Sequence, residues 1–289
     1  MKTNSKFKLF FLALFLLTST SIFSQEKFGG LALYTVRDDM GKDAKLTLRA
    51  VADAGYRNIE AAGYADGKFY GMSPIDFKNY LNAIGLVAVS SHNSSVTLEN
   101  ADQLIADVKE AGFEYFVIPI PPMGLFIKDE ETGTMSMSGG AVNLSEIVNI
   151  IGKKCHDAGL KLLYHNHDFE YKKDADSIVP IEYLLEHSDS TYVNFQMDLY
   201  WVTKAGADPI AYFEKYPGRF KIWHVKDKDD QGRFAPVGNG NIDFAPILAK
   251  KEVSGMKYYM VEQDMTFDGL KPLEAIKISH EGLKKFGFK

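Results

Sequence analysis

The chain has 289 residues, a formal net charge of −5 at pH 7 and a single cysteine. An acidic chain is a poor partner for nucleic acid or for anionic lipid. One thiol, Cys155, forms no internal disulfide, so core packing or a bound metal must hold the fold; Cys155 lies on a helical pattern and reads as core.

Residues 1–24 are expected to be a secretory signal peptide. Lys2, Lys6 and Lys8 form a positive start, Leu9 to Leu17 an apolar centre, and Thr18 to Ser24 a mostly small and polar end. That centre is shorter than the roughly 20 residues a membrane span takes. Cleavage after Ser24 leaves Gln25 to Lys289 as the mature chain, periplasmic or secreted, with no membrane contact. There is no cysteine at the cut to carry a lipid, and losing three lysines makes the product more acidic still.

From Gly30 onward, apolar runs of strand length alternate with amphipathic helices that end in glycine. The first pair is Gly30 to Tyr34 and Lys45 to Ala54, with Gly55 as the stop. Tyr56 to Ala61 precedes Pro74 to Ile84, and Leu86 to Ser91 precedes Asn100 to Ala111. Tyr115 to Ile120 precedes Asn143 to Ala158, and Leu160 to Tyr164 precedes Ile181 to Glu186. Tyr192 to Met197, Phe220 to Trp223 and Tyr258 to Val261 complete the strands, with helices at Pro209 to Lys215, Phe244 to Lys250 and Leu273 to Lys285. Strands that are apolar throughout and alternate with helices imply a parallel sheet covered on its faces. Eight such units in about 260 residues predict an α/β fold, a closed (β/α)8 TIM barrel in one domain spanning residues 25–289. An open doubly wound sheet competes, but no glycine-rich dinucleotide loop follows the first strand. Two long connections, Pro121 to Gly140 and Lys226 to Asn241, leave the same rim; the former has the composition of a lid.

Barrel enzymes build their sites at the carboxyl ends of the strands, and the ionisable residues of this chain gather there. Glu60, His92, His165, Asp198, His224 and Glu262 fall at the expected tips of six strands, with His167 and Glu170 just past the fifth. On an extended backbone, residues two apart face the same way, so His165 and His167 project together. His156, His187 and His280 lie on helices and read as surface or packing residues. Asp198, His224 and Glu262 come from three consecutive strands and converge on one point. Carboxylates and imidazoles suit one divalent ion, Mn²⁺, Co²⁺, Zn²⁺ or Mg²⁺. The fourth ligand is expected from the fifth strand, His165 first and Glu170 as the alternative. Tyr34, Phe69, Trp201 and Trp223 lie near strand ends and could stack on a ligand ring, and Glu60 and Asn166 are further candidates for binding substrate.

Four stretches carry a family resemblance. Tyr164-His165-Asn166-His167-Asp168-Phe169-Glu170, Gln196-Met197-Asp198-Leu199-Tyr200-Trp201, Trp223-His224-Val225-Lys226-Asp227 and Val237-Gly238-Asn239-Gly240-Asn241-Ile242-Asp243-Phe244 resemble motifs of the xylose-isomerase-like barrels, the sugar phosphate isomerases/epimerases. The resemblance implies one divalent ion held by Glu, Asp, His and Glu from the fifth to the eighth strand. Asp198, His224 and Glu262 match the last three, and His165 stands where the epimerases carry a glutamate. An exported branch resembles periplasmic enzymes that eliminate the C1 substituent of a 3-ketoglycoside.

Isomerase, epimerase, inosose-type dehydratase and 3-ketoglycoside lyase share removal of a proton next to a sugar carbonyl, through an enediolate that a metal stabilises. His167 or Glu170 is the expected base, and His92 or Lys226 the acid or oxyanion partner. The expected partner is a small sugar or glycoside, with self-association left open. Phosphate is disfavoured because the rim offers mainly carboxylates and histidines, with Lys226 the clearest cation. A non-catalytic sugar-binding barrel and a multi-metal nuclease are the rivals.

Overall fold

The computed structural model describes residues 27–174 and 176–289; the expected signal peptide lies outside the described residues. Eight parallel strands are β1 (Gly30–Ala32), β2 (Asn58–Ala61), β3 (Val87–His92), β4 (Tyr115–Ile118), β5 (Lys161–His165), β6 (Val193–Asp198), β7 (Phe220–Val225) and β8 (Tyr258–Val261). They close in the order β1-β8-β7-β6-β5-β4-β3-β2. The closed parallel barrel is the architecture that the alternating pattern predicts.

Local chemistry sets the helix ends. In the helix Ala44–Asp53 the Asp43 carboxylate accepts the Leu46 N–H. The helix Pro74–Ile84 opens on Ser73 and a proline, and stops at Gly85, whose φ of 73° is the left-handed conformation a side chain resists. Among the described residues no helix is long and apolar enough to cross a membrane.

The core has two tiers. Most apolar side chains lie between sheet and helices, while Ala32, Tyr115, Val117, Leu163, Ile222 and Met260 fill the barrel interior. Leu163, Ile222 and Met260 each stand two residues before a polar group, His165, His224 and Glu262. The period of the strand therefore sets a polar layer directly on top of an apolar plug.

Several expectations shift. β1 ends at Ala32, and Leu33–Val36 is a 3-10 turn, so Tyr34 lies beyond the strand. β3, β5 and β6 run one residue further than their apolar cores, and β7 two, which puts His92, His165, Asp198 and His224 inside strands. A short helix, Leu199–Lys204, was not expected. Both long connections form two-stranded hairpins, Phe126–Lys128 with Met135–Met137 and Asp227–Lys228 with Phe234–Ala235. Cys155 is buried core, and burial pushes its thiol pKa up. His187 is exposed and stacks on Tyr183, and His280 is buried between Phe28 and Tyr56.

Candidate active site

Glu60 is the root of the polar layer. It is wholly buried, and its Oε2 accepts hydrogen bonds from Ser90 Oγ (2.7 Å) and Gln196 Nε2 (2.6 Å). Its Oε1 lies 2.7 Å from His224 Nε2 and 2.9 Å from His92 Nε2. Burial opposes ionisation of Glu60, but the two imidazoles hold its pKa well below the usual carboxylate range. With Gln196 donating to Glu60, its Oε1 is left to accept from His92 Nε2 (2.8 Å) and His165 Nδ1 (3.0 Å). One anion thus fixes the proton positions on three imidazoles. Irregular register falls beside both Glu60 and Gln196, where β2 meets β3 and β6 meets β7.

This arrangement corrects the role given to Glu60. It does not line the open cavity and holds His224 and His92 from behind. A buried carboxylate on the far nitrogen of a histidine is a common way to orient a metal ligand. His224 Nδ1 then faces Glu262 Oε2 at 3.0 Å and Asp198 Oδ2 at 3.8 Å. Burial resists protonation of His224, yet Glu60 and Glu262 together raise its pKa to about 10.

Asp198, His224 and Glu262 each offer one ligand atom, and these lie within 4.8 Å of one another. Asp198 Oδ1 caps the helix Leu199–Lys204 by accepting the Trp201 N–H at 3.1 Å. Its buried Oδ2 stands 3.0 Å from Lys226 Nζ without an aligned hydrogen bond. Burial raises the Asp198 pKa to about 6, against the pull of Lys226 and His224. Two carboxylate oxygens and an imidazole nitrogen, one oxygen lacking an aligned donor, fit a borderline-to-hard divalent cation. Lys226 Nζ also lies 2.6 Å from Glu262 and 2.8 Å from Asp264. Burial would neutralise this amine, but the three carboxylates keep its pKa well above the ordinary value.

His165 does not join the acidic triad. Its ligand atom groups with those of His92 and His224 instead, so the expected fourth ligand sits in a neighbouring imidazole cluster. Glu170, the alternative ligand and base, is also displaced. It is wholly buried, accepting from Tyr164 Oη (2.8 Å) and the His167 N–H (2.8 Å), and does not line the cavity. Burial raises its pKa to about 8. Asn166 faces away from its histidine neighbours; its Oδ1 accepts the Asp198 N–H at 3.1 Å, which ties β5 to β6 rather than binding substrate.

His167 lines the cavity, and its buried Nδ1 has no hydrogen-bond partner. Burial and the charge of Lys226 lower its pKa to about 3, so the ring is neutral. His165 is neutral for the same first reason, burial, reinforced by His224 and the other imidazoles.

The cavity above this layer holds about 840 Å³ and includes His92, His165, His167, Trp201, Lys226 and Glu262 in its walls. Tyr34 stands at its mouth, 41% exposed. Phe69 and Trp223 do not reach it. Phe69 packs on Phe77 and Phe113, and Trp223 stacks on Phe213 at 4.9 Å on the outer face of the sheet. Sequence reasoning missed Gln196 and Asp264 as site residues. Gln196 stands two positions from Asp198 on β6 and so shares its face, whereas Asp264 lies past the end of β8 and is brought in by its contact with Lys226.

A closed parallel barrel with carboxylates and imidazoles gathered at its carboxyl mouth defines the class. The xylose isomerase-like TIM barrel model matches residues 48–285, and the chain belongs to that family. A sugar phosphate isomerase/epimerase from Parabacteroides distasonis is 27% identical with a TM-score of 0.73, covering 93% of this chain and 96% of that one. Inosose dehydratase of Clostridium tetani is 29% identical over 143 residues, 42% of this chain and 47% of its own length. The chain spans about half the length of the curated relatives it matches. L-ribulose 3-epimerase is 14% identical with a TM-score of 0.66, covering 90% of this chain and 95% of that one, a likeness of fold.

Proposed function

We propose that the protein is a metal-assisted lyase that removes a proton next to the ketone of a cyclic sugar and expels the substituent one carbon further on. The favoured substrate is a 3-ketoglycoside: the C2 proton is removed and the C1 substituent leaves. The observation that carries this reading is the meeting of two unlike groups at one mouth. A triad of Asp198, His224 and Glu262 lies within 4.8 Å, and the neutral His167 faces the same cavity.

Asp198, His224 and Glu262 would hold the cation, which when bound supplies a Lewis acid for the negative charge developing on the ketone oxygen. Everything else falls to the protein. His167 lines the cavity, is neutral and has an unpartnered nitrogen, so it is the group placed to take the C2 proton. The electron pair of that bond moves toward the ketone. As it returns to form the C1–C2 double bond, the C1–oxygen bond breaks. The departing oxygen takes a proton from Lys226, a charged ammonium 1% exposed. His165 and His92, held by Gln196 and Glu60, line the wall and fix the sugar's orientation.

Loss of water from an inosose is the second reading, since it is also elimination next to a ketone and relatives carry that name. The volume of about 840 Å³ favours the glycoside, because a single six-membered ring leaves much of it empty. Incubation with a 3-ketoglucoside in deuterated water, with and without chelator, tests the proposal. Release of the C1 substituent that chelator abolishes is expected. Deuterium at C2 with the glycosidic bond intact would mean epimerisation or isomerisation instead, and no change at all would sink an enzymatic reading of this site on such sugars.

A further inference from the structure

The outer half of the cavity differs in character from its floor. The acidic side chains that line it, Glu262 and Asp264, are both bonded to Lys226. Two cations at the mouth have no carboxylate partner among the described residues. Lys204 Nζ lies over the Trp201 ring, 4.5 Å from its centroid. The Arg37 guanidinium lies over Tyr34 at 4.4 Å, and one of its nitrogens donates to the carbonyls of Tyr34 (3.0 Å) and Asp264 (2.8 Å). That anchor leaves its other N–H groups without an acceptor among the described residues. A chain of net charge −5 therefore presents, at this one mouth, unanswered donors and positive charge set on aromatic faces.

These donors follow β1 and β6, and the ring of Phe234 comes from the hairpin after β7, between Tyr200 at 4.6 Å and Trp201 at 5.8 Å. They occupy the half of the rim that also holds Asp198, His224 and Glu262. An occupant that satisfies them supplies oxygen acceptors with negative charge, and a flat apolar body to lie against the rings. We propose that the mouth is a subsite for an aromatic carboxylate, carried as the C1 substituent of the substrate. This identity of the leaving group rests on the lyase reading, but the binding of the free acid does not.

The probes are 4-hydroxybenzoate and its neutral counterpart 4-hydroxybenzyl alcohol, titrated into the full mature protein and followed by calorimetry and by indole fluorescence. The acid is expected to bind about tenfold tighter than the alcohol. The Lys204→Met variant should erase most of that preference while leaving the alcohol unchanged. Lys204 is exposed and touches only ring faces, so the variant should fold, which circular dichroism checks. Equal binding of the two probes, binding of neither, or an undiminished preference in Lys204→Met would overturn the subsite. Turnover of a neutral 3-ketoglucoside is scored separately. Turnover without the preference sinks the subsite and spares the lyase, and the preference without turnover does the reverse.

Discussion

Replacing Glu60 by Gln changes one atom in the barrel and should disable the cation site from behind. Glu60 now accepts three hydrogen bonds, from Ser90, Gln196 and His224, and its Oε1 also lies 2.9 Å from His92 Nε2. An amide accepts at one end and donates at the other. If its NH₂ faces the imidazoles, His224 must carry its proton on Nδ1, the atom that looks toward Asp198 and Glu262, and can no longer ligate. If its NH₂ faces Gln196, that side chain must flip and present donors to His92 and His165, which now donate to it. Either way a proton is in the wrong place. Loss of an orienting partner of this kind weakens metal binding by about 10–100-fold, or about 1.4–2.8 kcal/mol. The assay is a competition titration of Mn²⁺ or Zn²⁺ against a chromophoric chelator, with thermal unfolding of the metal-free protein as a check on folding. Unchanged affinity in a folded Glu60→Gln protein would refute the role given to Glu60.

Further outcomes are expected. Glu170 has a folded pKa of about 8, raised by burial, against about 4.3 for an unfolded carboxyl. The folded chain therefore keeps a proton that the unfolded chain has lost, a contribution complete below about pH 4 and lost by about pH 8, at up to about 1.4 kcal/mol per pH unit. Urea unfolding at pH 5 and pH 8 should show a smaller decline in Glu170→Gln, and an identical decline in both proteins would contradict it. Asp198→Ala or Glu262→Ala should abolish turnover. His280→Ala, far from the mouth, should cost stability by about 1–3 kcal/mol yet keep activity per folded molecule, and equal activity in all three would refute the site. If residues 1–24 direct export as proposed, the full-length protein should be recovered outside the cytoplasm with Gln25 at its amino terminus, which amino-terminal sequencing checks; recovery with Met1 intact would contradict it.

How much of this was legible follows from two periodicities. Apolar runs alternating with glycine-stopped helices predict the barrel, and six polar strand tips predict a mouth rich in carboxylates and imidazoles. The alternation of a strand, applied strictly, goes further than residue type does. Trp223 adjoins His224 and Asn166 separates His165 from His167, so each must face away from the partners it seemed to share. The same rule places Gln196 with Asp198 on β6. Long-range geometry was out of reach. Nothing local says that Glu60, on the second strand, bonds His224 on the seventh, or that Glu170 turns back onto Tyr164. The first strand stops short of Tyr34 for a local reason, because a tight turn can follow an apolar run as readily as more strand can, yet Tyr34 still reaches the cavity.

The metal content of the purified protein tests the central claim most directly. Wild-type protein dialysed against Mn²⁺ or Zn²⁺ and analysed by mass spectrometry of the elements should retain about one ion per chain, and Asp198→Ala almost none. Wild-type protein that emerges metal-free, or an Asp198→Ala protein that keeps the full amount, would contradict the account.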